Sequence, residues 1–200
     1  YYHPEVFERM ERLVERGKLR HYGVSVERVE EGLKAIEYPG VASVQIIYNM
    51  FRLRPAELFF RQAQRRNVAV IARVPLASGM LSGKFGRDTR FEDSDHRQFN
   101  RHGEAFDVGE TFSGVPYEAG LAAVEKLRPL VPEGATMAQL ALRWILMDEA
   151  VTVVIPGART AAQALGNIAA ATLPALPQAT LDAVAQVYDQ DIRPHVHQRW

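Results

Sequence analysis

The stretch RVPLASGMLSGKF, residues 73–85, follows a run of Val, Ile and Ala and lays down two serines, two glycines and a lysine. Small residues let backbone N–H groups approach phosphate oxygens closely, hydroxyls add donors, and a lysine adds positive charge. Ser78, Gly79, Ser82, Gly83 and Lys84 therefore suit a phosphate cradle, although their spacing is neither a Walker loop nor a GxGxxG turn. A second stretch, IPGARTAAQALGN (155–167), offers the same chemistry. Gly157 can turn the backbone, Arg159 can fork onto a phosphate, and a helix from about Ala161 presents its positive N-terminal end. Gln163 and Asn167 are four residues apart, so one helical face carries both amides.

Two such loops need a scaffold that brings them together. Segment 5–16 places Val6, Phe7, Met10, Leu13 and Val14 at helical spacing, with Pro4 before it and Gly17 after. HYGVSV (21–26) reads as a short strand and 27–37 as a helix. VASVQIIYNM (41–50) reads as a strand, a helix follows Pro55, and NVAVIARV (67–74) is a third strand. Residues 86–116 are polar and Gly-punctuated without period, a long loop of the kind that carries function. Helices are predicted at 117–130 and from Thr136, where Thr136 and Gln139 form a capping-box pair. VTVVI (151–155) is a fourth strand, 161–171 and 178–189 are helices, and 190–200 is a tail.

Strands alternating with helices predict an α/β fold of parallel β/α units in one domain, 1–200. Four strands are half of an eight-stranded barrel, so the expected architecture is a partial (β/α)8 TIM barrel. In parallel folds chemistry sits in the loops after the strands. Those places hold Ser25, Gln45, Tyr48, Arg73 with the 75–84 loop, and Gly157 with Arg159. The set is polar, neutral or cationic and contains no carboxylate, which suits an anion.

Composition narrows the function classes. Lys and Arg number 24, as do Asp and Glu, so no charge excess points to nucleic acid or an anionic membrane. No cysteine is present, which excludes thiolate chemistry and disulfides. No apolar run reaches the roughly 18 residues of a membrane span, and a cytoplasmic protein is expected. The chain opens at Tyr1 without methionine and reads as though it begins in mid-protein.

Five segments, GKLRHYGVS (17–25), VQIIYN (44–49), VPLASGMLSGKF (74–85), TMAQLALRWIL (136–146) and VIPGARTAAQALGN (154–167), resemble the later part of an aldo-keto reductase, an NADPH-dependent barrel enzyme. They stand in family order and cover nearly the whole chain. The resemblance implies NADP(H) as cofactor and a small-molecule carbonyl substrate. It implies that Ser25 and Gln45 hold the nicotinamide carboxamide, with Val26 where the family often has Asn. Arg73 matches the position of an aromatic that stacks on the nicotinamide. Leu76, Ser78, Ser82 and Lys84 match the pyrophosphate side, Arg159 the 2′-phosphate, and Gln163 and Asn167 the adenine side, with Gly166 where a glutamate is often seen.

The family's tyrosine, lysine, aspartate and histidine lie upstream of the segments present here, so no catalytic residue is assigned. Tyr48 is expected as pocket wall and His3 as surface or cap. Asp93, Asp95, His96 and His102, like His195 and His197, match no common metal spacing, and no metal is assigned. Phe106 or Trp200 could border substrate.

The first functional expectation is thus a carbonyl-reducing fragment, inactive alone, with unpaired sheet edges open to self-association. The alternative is a non-catalytic NADPH-binding or interaction module, since the family also includes channel regulatory subunits. An unrelated barrel acting on a phosphorylated metabolite is less favoured by the motif series.

Overall fold

The computed structural model describes residues 1–200. Helix α1 (Pro4–Glu15) begins at a proline and ends before Gly17, whose left-handed φ of 66° lets its N–H close on the Val14 carbonyl. The chain then alternates through β1 (Tyr22–Ser25), α2 (Val29–Ala35), β2 (Val41–Ile47), α3 (Phe59–Arg65) and β3 (Ala69–Arg73). After a long excursion holding α4 (His96–Phe99) come α5 (Tyr117–Leu127), α6 (Met137–Leu146), β4 (Val151–Val154), α7 (Ala161–Ala169), α8 (Gln178–Val187) and α9 (Arg193–Val196). The capping box forms as its spacing predicts: Gln139 N–H donates to Thr136 Oγ1 and Thr136 N–H donates to Gln139 Oε1.

Most elements are a few residues shorter than their sequence patterns, and two of them have a plain local cause. Helix α2 starts at Val29 because Glu31 Oε2 accepts the Glu27 and Arg28 N–H groups, which holds both residues outside the helix. Strand β2 ends at Ile47 because Asn49 turns the chain, its Oδ1 accepting from Phe51 N–H.

The four strands form one parallel sheet in the order β1-β2-β3-β4. Val44, Ile46, Val70 and Ala72 are buried on the face that α2 and α3 cover. The register aligns Ser25, Gln45, Ile71 and Val153 as one layer on the other face, and these residues are half-buried or exposed. Side chains that alternate between two faces along every strand, with one common face turned away from the helices, are what a barrel interior requires. The chain is an α/β fold forming about half of a (β/α)8 barrel. Strands β1 and β4 are its edges, and α7 buries no side chain, leaving Leu165 66% and Ile168 67% exposed.

Residues 86–116, expected as structureless loop, are organised by side chains rather than by periodicity. Phe85, Phe91, Phe112 and Tyr117 form an aromatic cluster with neighbouring centroids 5.2–6.4 Å apart. Arg97 lies 4.7 Å from the Phe91 ring centroid and is clasped by Asp95. Short 3-10 turns at Val108–Glu110 and Phe112–Gly114 follow. Behind them the buried Arg52 donates to the Gly109 and Ser113 carbonyls and stacks 4.0 Å from the Trp200 ring. The tail is thereby packed against the excursion.

Candidate functional site at the carboxyl ends of the strands

The backbone leaving β3 is unusual before any side chain is considered. Val74, Ala77 and Ser78 take φ of 49°, 47° and 55°, and Gly79 and Gly83 take 95° and 70°. A β-branched residue at positive φ is a steric outlier, and such conformations cost about 1–3 kcal/mol each and gather at binding sites. Buried neighbours hold them in place. Asn49 Nδ2 donates to the Val74 carbonyl at 2.9 Å and to Ser113 Oγ at 2.8 Å. The Ser78 hydroxyl donates to the Glu110 carbonyl and accepts from Phe112 N–H, so it pins the excursion to the β3 loop.

Beside this loop lies a cavity of about 1380 Å³, larger than the roughly 300–1,000 Å³ of most small-molecule sites. Leu76, Ser78, Ser82 and Lys84 line it from the β3 loop; Gly157, Arg159, Gln163 and Asn167 line it from the β4 loop and α7. Helix α7 starts where Thr160 Oγ1 accepts from Gln163 N–H. Gln163 Oε1 then accepts from Arg159 N–H at 2.7 Å, and Asn167 Nδ2 donates to the Gly157 carbonyl at 3.2 Å. Both amides brace the loop, and the exposed Arg159 guanidinium has no carboxylate partner.

Three of the expected site residues lie off the cavity wall. Ser25 and Gln45 are neighbours in the interior layer, with Ser25 Oγ 3.0 Å from Gln45 Oε1, and the Tyr1 hydroxyl donates to the Ser25 carbonyl. Arg73, only 8% exposed, does not lie open as a stacking plane. It is tied to Glu27 Oε1 at 2.7 Å, to Glu110 Oε1 and to the Val26 carbonyl.

Glu27 and Glu110 do line the cavity. The expectation that the strand-end face lacks carboxylates is thus corrected: one follows β1 by two residues, and the other arrives from the excursion. Glu27 was open to discovery by reading two positions past Ser25. Glu110 sits in the aperiodic 86–116 segment, whose length marks it as functional but whose pattern singles out no carboxylate; His96 and Arg97 of the same segment also border the cavity.

Burial, together with the neighbouring Glu110 carboxyl, pushes Glu27 from 4.5 up to about 7, against the pull of Arg73. The folded protein therefore holds this proton more tightly than the unfolded chain. Its stabilising effect is complete below about pH 4.5 and is lost as pH rises through about 7. Urea midpoints should fall between pH 5 and pH 8, and Glu27→Gln should flatten that decline. A wild-type midpoint that rises over this interval would contradict the assignment.

Other sequence candidates are placed elsewhere. Tyr48 is not pocket wall: its hydroxyl donates to Asp148 at 3.2 Å and its ring lies between Phe60 and Trp144, beneath the helices. Its burial raises the phenol well above its usual range. His3 precedes α1 without a capping bond. Phe106 borders the cavity, whereas Trp200, 3% exposed, is held behind it by its Nε1 donating to Asp107.

A sheet half-barrel with phosphate-suited loops after β3 and β4 can be compared with known proteins. The aldo/keto reductase family profile matches residues 1–189. The chain belongs to the aldo/keto reductase family. An L-glyceraldehyde 3-phosphate reductase of Escherichia coli O157:H7 is 30% identical over 164 residues, covering 78% of this chain and 46% of that protein. A probable voltage-gated potassium channel subunit beta of Arabidopsis thaliana is 27% identical over 197 residues, 92% of this chain and 56% of its own. Among solved structures, the glycerol dehydrogenase of Gluconobacter oxydans superposes with a TM-score of 0.70 at 26% identity, covering 94% of this chain and 53% of that one. The chain spans about half the length of these relatives.

Proposed function

We propose that these 200 residues supply the NADP(H)-binding part of an aldo-keto reductase that converts an aldehyde or ketone to its alcohol. The observation that carries this reading is the single cavity shared by Leu76, Ser78, Ser82, Lys84, Gly157, Arg159, Gln163 and Asn167. Its donors fit a dinucleotide: a lysine and turned backbone for the pyrophosphate, and an unpaired guanidinium for a 2′-phosphate. The reduced nicotinamide supplies the hydride when bound. Lys84 and the 76–83 backbone hold the pyrophosphate, with the Ser78 hydroxyl serving loop shape rather than contact. Arg159 grips the 2′-phosphate, and Gln163 and Asn167 border the adenine; Ser25 and Gln45, which lie off the cavity wall, are assigned the carboxamide by the family resemblance alone.

None of the residues bordering the cavity is a tyrosine, so these residues alone have no phenol there to protonate a carbonyl oxygen. The segment by itself is inactive, and the exposed edges β1 and β4 with the apolar face of α7 favour self-association. A cytoplasmic location fits a nicotinamide reductase. NADPH fluorescence should change saturably when the protein is added, while carbonyl turnover by residues 1–200 stays at background. An unchanged NADPH signal removes the cofactor reading, and turnover by residues 1–200 removes the claim of inactivity.

The likeness to a channel beta subunit supports a second reading, a non-catalytic NADPH-binding or interaction module. Binding without turnover in a chain that completes the barrel separates it from the reductase.

A further inference from the structure

The group of charges where β1 and β3 end contains more negative than positive charge. Arg73 is flanked by Glu27 and Glu110, and its Nε and the Glu27 Oε2 are buried without a partner. Both carboxyl groups bond the same guanidinium, Glu27 Oε1 at Nη2 and Glu110 Oε1 at Nη1, which brings them together, and a hydrogen bond between them would need a donor. Two ionised carboxylates cannot make that bond, because each is acceptor only; one proton between them turns an unpartnered oxygen into a bonded pair. The remaining charged neighbours do not supply the missing positive charge. Glu31 approaches from α2, where it accepts from the Glu27 N–H, and the Tyr1 phenol lies close by. Arg52, on the β2 side, is near enough to feel Glu27 but is committed to the Gly109 and Ser113 carbonyls.

We propose that Glu27 and Glu110 hold a single proton between them over Arg73, and that losing it makes this end of the cavity favour the oxidised, positively charged dinucleotide over the reduced one. The inference rests on reading the cavity as a nicotinamide dinucleotide site with its ring toward the β1–β3 end. With the proton in place, the guanidinium and the one remaining carboxylate cancel. Without it, the group carries one excess negative charge, which attracts the cationic oxidised ring and leaves the neutral reduced ring indifferent. Arg73 thus does not repel the oxidised ring; its two carboxylates reverse the sign of the local field. A unit charge acting across roughly 10 Å at an effective dielectric of about 20–25 corresponds to about a tenfold change in relative affinity.

The test measures dissociation constants for NADP+ and NADPH by calorimetry at pH 6 and pH 8.5 in the purified protein. The 2′-phosphate also titrates near this range, but it is common to both forms and cancels in their ratio. The preference for NADP+ should rise about tenfold from pH 6 to pH 8.5. Glu27→Gln and Glu110→Gln should each remove this rise, since a single carboxylate needs no shared proton. His96→Gln, which deletes the imidazole bordering the cavity, should retain it. A pH-independent ratio in the wild type overturns the proposal and leaves the cofactor site standing. So does a rise that survives Glu27→Gln or vanishes in His96→Gln. Failure of both dinucleotides to bind at either pH overturns the proposal together with the cofactor reading. Carboxyl 13C chemical shifts report the proton without ligand, and two carboxyls titrating independently in the ordinary glutamate range would also overturn it.

Discussion

Replacing Arg52 by alanine is expected to cost the fold about 3 kcal/mol, because three separate losses outweigh one gain. The substitution leaves the Gly109 and Ser113 carbonyls without their donor inside the protein, and each such orphan costs about 1–3 kcal/mol. It empties the volume of the largest fully buried side chain in the chain. It also removes the cation from its place 4.0 Å from the Trp200 ring, a contact worth up to about 2 kcal/mol when desolvated. The gain is relief from burying a charge, which lowers the guanidinium to about 10 despite the help of Asp107. Urea unfolding gives the total. Arg52→Met, which refills the space but restores no donor, should recover less than half of the loss. Because Trp200 and the 108–114 turns share this arginine, the variant should also show red-shifted tryptophan emission before global unfolding. Full recovery by Arg52→Met would mean that packing alone, not the carbonyl donors, holds the excursion.

That arginine also marks where sequence reading stopped. Regular elements were legible because their signals are local: Pro4 and Gly17 bracket α1, Thr136 and Gln139 cap α6, and β-branched runs become the parallel strands. The phosphate-suited loops were legible because glycine, serine, lysine and arginine after a strand are suggestive without any partner. The excursion was not, since its order comes from contacts distant in sequence. Arg52 reaches Gly109 and Ser113, Ser78 reaches Glu110, and Trp200 reaches Asp107. None of these pairs has a spacing that a pattern could reveal. The same distance hid the state of Arg73. In the sequence it is a lone cation at a strand end; in the fold it is surrounded by Glu27 from one loop and Glu110 from another. A residue's type sets what it can bind, but only the packing decides whether it is already bound.

Arg159 shows the opposite case, a cation the fold leaves free, and it carries the other large expected effect. Its backbone N–H is held by Gln163 and its loop by Asn167, while the guanidinium projects at the cavity without a carboxylate partner. A charge-assisted fork onto a phosphate contributes about 2 kcal/mol, so Arg159→Ala should weaken NADPH about 30-fold. NADH, which lacks the 2′-phosphate, should change by less than about twofold, since the loop bracing through the Arg159 N–H survives the substitution. Arg159→Lys keeps the charge but loses the fork and should fall between the two. Raising ionic strength should erode the NADPH advantage of the wild type and leave the alanine variant nearly unaffected, because only the former includes an exposed ion pair. Fluorescence titration with both cofactors at two salt concentrations decides the matter. Equal losses for NADPH and NADH would place Arg159 in the loop's framework rather than at the phosphate, and the cavity's claim on the 2′-phosphate would go with it.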